Sequence, residues 1–463
     1  RCYFYRKEYG MMAGISVIGL GKLGAPIAAA FASRGFTTIG VDVNPRVVEA
    51  INAGSPPVVE PGLAEALAAS SGRLRATMDT REAVLATDIT LIIVPTPSEA
   101  DGRFSLRYVL QACREVGQAL REKRPYHLVV VISTVLPGST QFGILPVLER
   151  VSEKRCGKDF GLCYSPEFLA LGSVLRDFLN PDFVLIGESD PQAGGTLEGV
   201  YRQVLMNHPP IARMNFVNAE LAKIAVNTFV TMKISFANML AALCERLPGG
   251  DVDTVTRAIG LDTRIGPRYL KGALGYGGPC FPRDIRALAF LARSLGVHAT
   301  LAEATDAINR TVAQRVAQRV EALLPPGGTV AVLGLAYKPD TPVAEESQGL
   351  QIALHLAQKG TQVVVYDPLA MGEARRVLGE QVAYASSAEE AVRHAQVVLI
   401  ANPDPTFRDL PLGGNAGPVV VDAWRLLREH MGNPEGAYAP LGVGNPDPET
   451  IERLARLWKG DGC

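Results

Sequence analysis

Apolar residues along this chain come in short unbroken runs separated by longer amphipathic stretches. Runs at 15–18, 38–43, 89–94, 128–132, 161–165 and 183–187 read as strands buried on both faces, as in a parallel sheet covered by helices. An apolar, alanine-rich helix is predicted over 25–33, and 183–187 is expected to be the last strand of its sheet. The rhythm then changes. Residues 218–247 form a long helical pattern without Gly or Pro, followed by shorter helices at 251–259 and 285–294. Pro325-Pro326-Gly327-Gly328 reads as a linker, and runs at 329–333, 362–366, 396–401 and 419–422 repeat the first arrangement. The expected architecture is α/β. Two Rossmann-like parallel-sheet domains, 13–212 and 325–463, are joined by a central helical domain, 213–324, with a long spine helix.

One polar pattern interrupts the long helix. Lys223, Asn227, Thr231 and Ser235 recur every four residues and so share one slowly drifting stripe. Either the stripe faces water on an amphipathic helix, or Lys223 and Asn227 aim a cation and an amide at a developing oxyanion. A helix of this length also suits pairing with a second subunit.

The first strand runs into Gly19-Leu20-Gly21-Lys22-Leu23-Gly24 and then a helix, the context a dinucleotide loop requires. The first glycine makes the turn, the second admits a pyrophosphate, and the third lets the helix pack on the strand. Asp42, 18 residues past Gly24, stands where a carboxylate binds an adenosine ribose and repels a 2′-phosphate, so NAD is favoured over NADP. The strand ends Pro95-Thr96-Pro97-Ser98 and Ser133-Thr134-Val135 would lie at the same sheet edge. Their hydroxyls either contact nicotinamide and ribose or are ordinary turn residues. Glu167, after a strand and a proline, is a candidate site acid or a plain loop glutamate.

A second concentration of special residues is Gly275-Tyr276-Gly277-Gly278-Pro279-Cys280-Phe281-Pro282-Arg283-Asp284. Its glycines permit close approach to a ligand, and Pro282 suits the first turn of a helix. Cys280 would sit at that helix's N-terminus, where the dipole favours a thiolate, with Asp284 in the first turn. Taken alone, the stretch is more readily a buried cysteine beside a glycine turn. Arg264, Arg268 and Lys271 could each meet a phosphate, although singly each is more often a surface charge. The later unit lacks the glycine fingerprint, so it is expected to hold the nucleotide part of a substrate, with Lys338 near phosphate.

Composition narrows the classes. The chain has 463 residues, 47% hydrophobic and 20% charged, with a net charge of −1, which gives no case for nucleic acid or an anionic membrane. No apolar run of about 18 residues is evident, so no membrane span is expected. The seven cysteines are scattered without a CxxC pair, which argues for reduced thiols in a cytoplasmic protein and against a zinc or other metal site. Residues 1–12 lack the apolar core of a signal peptide; Met11 or Met12 is the expected start, and the segment is left out of the fold.

Five motifs in order, GLGKLG with Asp42, SPEFL, AELAKIAVNTF, GYGGPCFPRD and GLAYKPDT, resemble the UDP-glucose/GDP-mannose dehydrogenase family over about residues 13–430. The resemblance implies four-electron oxidation of a nucleotide-sugar C6 alcohol to the uronate, with NAD as cofactor. Cys280 would form a thiohemiacetal and then a thioester. Lys223 and Asn227 would steady the oxyanion, Asp284 would support lysine and water, Glu167 would serve thioester hydrolysis, and Thr134 would position water. The implied cofactor contacts are Gly19, Leu20, Gly21, Lys22, Leu23, Gly24, Asp42, Arg46, Pro95, Thr96 and Thr134. The implied substrate contacts are Phe168, Leu169, Lys223, Asn227, Arg264, Arg268, Tyr269, Leu270, Lys271, Gly277, Tyr337 and Lys338. Arg264 would reach the partner's substrate, which implies a homodimer or higher homo-oligomer. UDP-glucose is the leading substrate, with GDP-mannose or a UDP-N-acetylhexosamine next. A two-electron hydroxyacid dehydrogenase and a non-catalytic nucleotide-sugar binder are the other classes. Four positions depart from the family pattern: Leu171 and Glu345 replace a glutamate and an arginine, Phe183 replaces an arginine, and Trp424 precedes Arg425 where an arginine is usual.

Overall fold

The computed structural model describes residues 13–70, 72–412, 417–431 and 438–458; the expected start at Met11 or Met12, Cys2 and Cys463 lie outside them. The chain divides into two compact units, one ending at Ala225 and one beginning at Val226.

The first unit is built on an eight-stranded sheet. Its strands are β1 (Ile15–Ile18), β2 (Thr38–Val41), β3 (Leu74–Thr77), β4 (Ile89–Ile92), β5 (His127–Val131), β6 (Phe160–Tyr164), β7 (Val184–Glu188) and β8 (Ile211–Met214). The order is β3-β2-β1-β4-β5-β6-β7-β8. All pairs are parallel except β6 with β7. β1, β4 and β5 are buried throughout, as their apolar runs require. The polar side chains inside them pair with one another: Ser16 Oγ lies 2.7 Å from Thr90 Oγ1, which lies 2.8 Å from His127 Nε2.

Two strands of this sheet carry no sequence signal. β3 and β8 are partly exposed and carry arginines, so neither shows a continuous apolar run. Arg213 of β8 is held by Glu188 of β7 at 2.7 Å. β8, not the 183–187 strand, therefore ends the sheet.

The second unit has a five-stranded, wholly parallel sheet in the order β11-β10-β9-β12-β13. Its strands are β9 (Thr329–Leu333), β10 (Gln362–Tyr366), β11 (Ala383–Tyr384), β12 (Val397–Ile400) and β13 (Val419–Asp422). Val312, Val316 and Val320 of the Thr300–Leu323 helix pack in the same apolar cluster as Val330 and Val332 of β9. The helix before the 325–328 linker thus shares a core with the sheet after it.

This sheet keeps a turn its sequence does not advertise. Gly334 follows β9 with φ +97°, as Gly19 follows β1 with φ +93°. A Cβ on Gly349 would stand 2.2 Å from the Gly334 carbonyl oxygen, as one on Gly24 would stand 1.8 Å from that of Gly19. The strand-to-helix approach survives while the loop between the two glycines has grown, so the G-x-G-x-x-G spacing is lost.

The spine helix is Phe216–Cys244, 29 residues. Against the sequence reading, it is long and apolar enough to cross a membrane by length and composition. Its buried polar side chains behave as those of a core helix instead. Glu220 accepts from the Gly138 and Thr140 N–H groups, Ser235 donates to the Thr305 carbonyl, and Asn238 binds Ala273 and Leu274.

Candidate active site

In the first unit the glycine loop has the shape a dinucleotide needs. Gly19 tolerates no Cβ, which would lie 2.2 Å from the Ile93 carbonyl oxygen, whereas a Cβ on Gly21 would meet nothing within 4 Å. The open side at Gly21 is where a pyrophosphate could approach backbone N–H groups. Asp42 closes β2 and fastens this loop, with Oδ2 accepting from Leu20 N–H at 2.8 Å and Oδ1 from Asn44 N–H at 2.8 Å. Lys22 and Arg46 are exposed beside it, and Leu23 is half-buried. The Leu20 side chain is wholly buried against Gly40, so only its backbone can face a ligand. Pro95 is exposed. Thr96 is buried and donates to the Thr134 carbonyl at 2.8 Å, while Ser133 Oγ donates to the Val94 carbonyl at 2.7 Å. These two hydroxyls stitch the ends of β4 and β5 together. Thr134 itself stays half-exposed.

The same unit holds the acid and the lysine. Glu167 follows β6, and Lys223 Nζ donates to its carbonyl oxygen at 2.6 Å. Lys223 also lies 4.4 Å from the centroid of the Phe168 ring, which packs on Phe183 at 4.8 Å. Phe183, where the family pattern has an arginine, is therefore part of the aromatic pair that seats the lysine. Tyr201 donates to Glu167 Oε1 at 3.3 Å. Burial pushes the Glu167 carboxyl up to about 7, against the opposing pull of Tyr201 and Lys223. Leu169 is half-buried beside them. Nothing in the structure accounts for Leu171.

The second unit presents the cysteine. Its helix is Phe281–Ser294, beginning four residues earlier than the sequence pattern suggested, because Pro282 fits the first turn. Cys280 is the N-cap residue and is exposed, and its carbonyl accepts from Asp284 N–H at 2.9 Å. Asp284 is fully buried; it accepts from Asn227 Nδ2 at 2.7 Å and faces the Arg283 guanidinium at 3.2 Å. The polar stripe is thus buried rather than solvated, and Thr231 and Ser235 serve it only by bonding backbone.

Two asparagines that the sequence reading passed over hold the loop before Cys280. Asn238 accepts from Ala273 N–H and donates to the Leu274 carbonyl, at 2.8 and 3.1 Å. Asn309 does the same for Tyr276, at 2.8 and 3.0 Å. Asn238 prolongs the stripe by three residues, a signal that was available; Asn309 had none, because its partner is distant in sequence. Behind the loop, a Cβ on Gly278 would lie 2.7 Å from the Tyr337 ring, so only glycine lets the two meet. Burial pushes the Tyr337 phenol up to about 12, with Cys280 a smaller influence. Lys338 Nζ stands 5.9 Å from the same ring.

The remaining substrate candidates spread over the loop after Gly260. Arg264 is exposed and paired with Asp262 at 2.6 Å. Arg268 and Lys271 are exposed, Tyr269 meets Phe281 edge-on at 6.4 Å, and Leu270 is buried. Gly277 is buried with Glu346 and Tyr337 against it. Glu345 is exposed, and its carbonyl accepts from Gly278 N–H. Trp424 donates from Nε1 to the Ala401 carbonyl at 3.0 Å, and Arg425 is committed to Asp253 at 2.6 Å. Arg425 therefore does not replace the usual substrate arginine.

Comparison with known proteins agrees with this layout. The family models of the UDP-glucose/GDP-mannose dehydrogenases match as an NAD binding domain over residues 13–205, a central domain over 217–311 and a UDP binding domain over 331–429. A UDP-glucose 6-dehydrogenase of Haloferax volcanii is 37% identical over 90% of this chain and 98% of its own length. A GDP-mannose 6-dehydrogenase of Pseudomonas putida is 33% identical over 88% of this chain and 95% of its own. The solved structure of a UDP-glucose dehydrogenase from Pyrobaculum islandicum is 40% identical, covers 93% of this chain and 98% of its own, and superposes with a TM-score of 0.85. Fold, motif order and relatives agree that the chain belongs to the UDP-glucose/GDP-mannose dehydrogenase family and is an NAD-dependent nucleotide-sugar dehydrogenase.

Proposed function

We propose that this enzyme oxidises the C6 alcohol of UDP-glucose to the carboxylate of UDP-glucuronate through covalent intermediates on Cys280. The observation that carries the reading is an exposed cysteine at a helix N-terminus, directly ahead of a buried Asp284–Asn227 pair. The Gly19–Gly24 loop and Asp42 would hold NAD, which when bound accepts the hydride at each oxidation. The Cys280 thiolate adds to the C6 aldehyde, and the resulting thiohemiacetal becomes a thioester at the second oxidation. Water then attacks the thioester carbonyl, the C–S bond breaks, and the sulfur leaves as thiolate while Glu167 takes the water's proton. The Lys223 ammonium and the Asn227 amide are assigned to the oxyanion, as a cation and a donor on one helix stripe. Thr134, Tyr337, Lys338 and the 264–271 loop are assigned to water, sugar and nucleotide. A three-part division, 13–212, 213–324 and 325–463, and a cytoplasmic setting complete the reading.

UDP-glucose is supported by the Haloferax volcanii and Pyrobaculum islandicum proteins. GDP-mannose is the second reading, favoured by the Pseudomonas putida relative. NADH yield per mole across a panel of UDP-glucose, GDP-mannose and UDP-N-acetylhexosamines distinguishes them. Two NADH per UDP-glucose are expected, and no turnover on any of these sugars would sink the reading.

The spine helix also supports a homodimer. Phe229, Phe236, Met239 and Leu243 recur at spacings of seven, three and four, and each is at least 41% exposed. Phe236→Asp is expected to convert dimers to monomers in analytical ultracentrifugation. An unchanged sedimentation coefficient in the variant would remove this face from the interface.

A further inference from the structure

Behind Glu167 lies a short chain of hydroxyls that the proposed chemistry does not use. Tyr201 Oη stands 3.3 Å from Glu167 Oε1, Ser165 Oγ stands 2.9 Å from Tyr201 Oη, and the Leu185 carbonyl stands 2.9 Å from Ser165 Oγ. Tyr201 and Ser165 are 2% and 1% exposed, so neither hydroxyl is served by bulk water. Both reach the site from fixed elements, Tyr201 from the Pro191–Val204 helix and Ser165 from the residue after β6.

Counting protons gives this chain two arrangements. With Glu167 ionised, Tyr201 donates to the carboxylate and Ser165 donates to Tyr201. The two hydroxyl protons then fill two of the three contacts, and the Leu185 carbonyl goes without the serine. With Glu167 protonated, the carboxyl donates to Tyr201, Tyr201 to Ser165 and Ser165 to Leu185, so all three contacts carry a proton. The charged form is stabilised by a donor, and the neutral form by completion of the chain.

We propose that Leu185, Ser165 and Tyr201 form a relay that reverses its donor direction as Glu167 gains and loses a proton. Tyr201 is then a positioning residue that keeps Glu167 serviceable both as base and as acid. The proposal rests on the reading of Glu167 as the hydrolytic base.

The other groups facing this point are few. Lys223 donates to the Glu167 carbonyl oxygen, and the Cys163 thiol lies near Tyr201. Burial pushes both the Tyr201 phenol and the Cys163 thiol well above their ordinary values, so neither ionises near neutrality. The relay changes direction without changing charge.

The test is an infrared titration of the full chain, following the protonated carboxyl band that Glu167→Gln removes. Tyr201→Phe deprives the carboxylate of its donor and is expected to raise the pH of Glu167 ionisation by about one unit, or ten-fold in proton affinity. Ser165→Ala leaves that donor but deprives Tyr201 of its acceptor in the neutral form. It is expected to move the titration the opposite way. Each change removes a single oxygen, and if one variant does not fold, the sign of the other decides. Shifts of the same sign, or none, overturn the relay. Turnover of Glu167→Gln is read separately. If it equals that of the unmodified enzyme, Glu167 is not the hydrolytic base, whatever the titrations show.

Discussion

Replacing Cys280 by alanine is expected to abolish carboxylate formation while leaving the fold unchanged. The thiol is exposed at the start of its helix, so its removal opens no cavity. The loop beneath it is fixed by Asn238 and Asn309 and by the Tyr337 ring, none of which depends on the sulfur. Without a nucleophile the aldehyde is not held for a second oxidation, and turnover should fall by roughly 10³-fold or more. Serine at the same position is expected to be little better, because its hydroxyl is a poorer nucleophile and a poorer leaving group than a thiolate. NADH counted per mole of sugar is the measurement, with thermal unfolding as the control. Two NADH per sugar at the unmodified rate from Cys280→Ala would exclude the covalent route. A four-electron oxidation through the aldehyde hydrate, which needs no protein nucleophile, would then remain.

The largest stability effect is expected at Asp253. Arg425 is buried, with φ +57°, and its side chain donates to both Asp253 oxygens and to the Ala423 and Leu441 carbonyls. Removing one partner of a buried pair leaves the other charge uncompensated, at a cost of about 3–5 kcal/mol. The two partners are not equivalent. The Arg425 side chain is 1% exposed and that of Asp253 25%, so only the aspartate can recover water when abandoned. Asp253→Ala should therefore destabilise more than Arg425→Met, which also removes the charge while keeping much of the buried stem. Urea unfolding followed by fluorescence of Trp424, the adjacent residue, would read both. Equal losses would show that the two partners are equivalent, and a loss below about 1 kcal/mol for Asp253→Ala would show that the pair is solvated and contributes little.

The departures from the family pattern divide along the same line between local and distant effects. Phe183 is explained by Phe168, which it packs against and which carries Lys223 on its face. In the sequence, Trp424 precedes Arg425 at the place where the family usually has an arginine. Packing shows a guanidinium occupied by Asp253, a residue far away in the chain, and by the Ala423 and Leu441 carbonyls. No local pattern could have revealed that partner.

The sequence by itself determined the two α/β repeats, the dinucleotide loop and the placing of Cys280 at a helix start. All three depend on short-range periodicity and on residues with special backbone freedom. The polar stripe at Lys223 and Asn227 was legible for the same reason, since helical spacing puts side chains four apart on one face. Tertiary structure alone decided what those polar groups touch. It turned Asn227 inward onto Asp284, placed Tyr201 and Ser165 behind Glu167, and set Asn309 under the cysteine loop. It also showed that a lost glycine fingerprint can coexist with a retained glycine turn at Gly334 and Gly349. The reason is common to all of these. A buried polar group must find a partner, and which partner it finds depends on segments brought together only by folding.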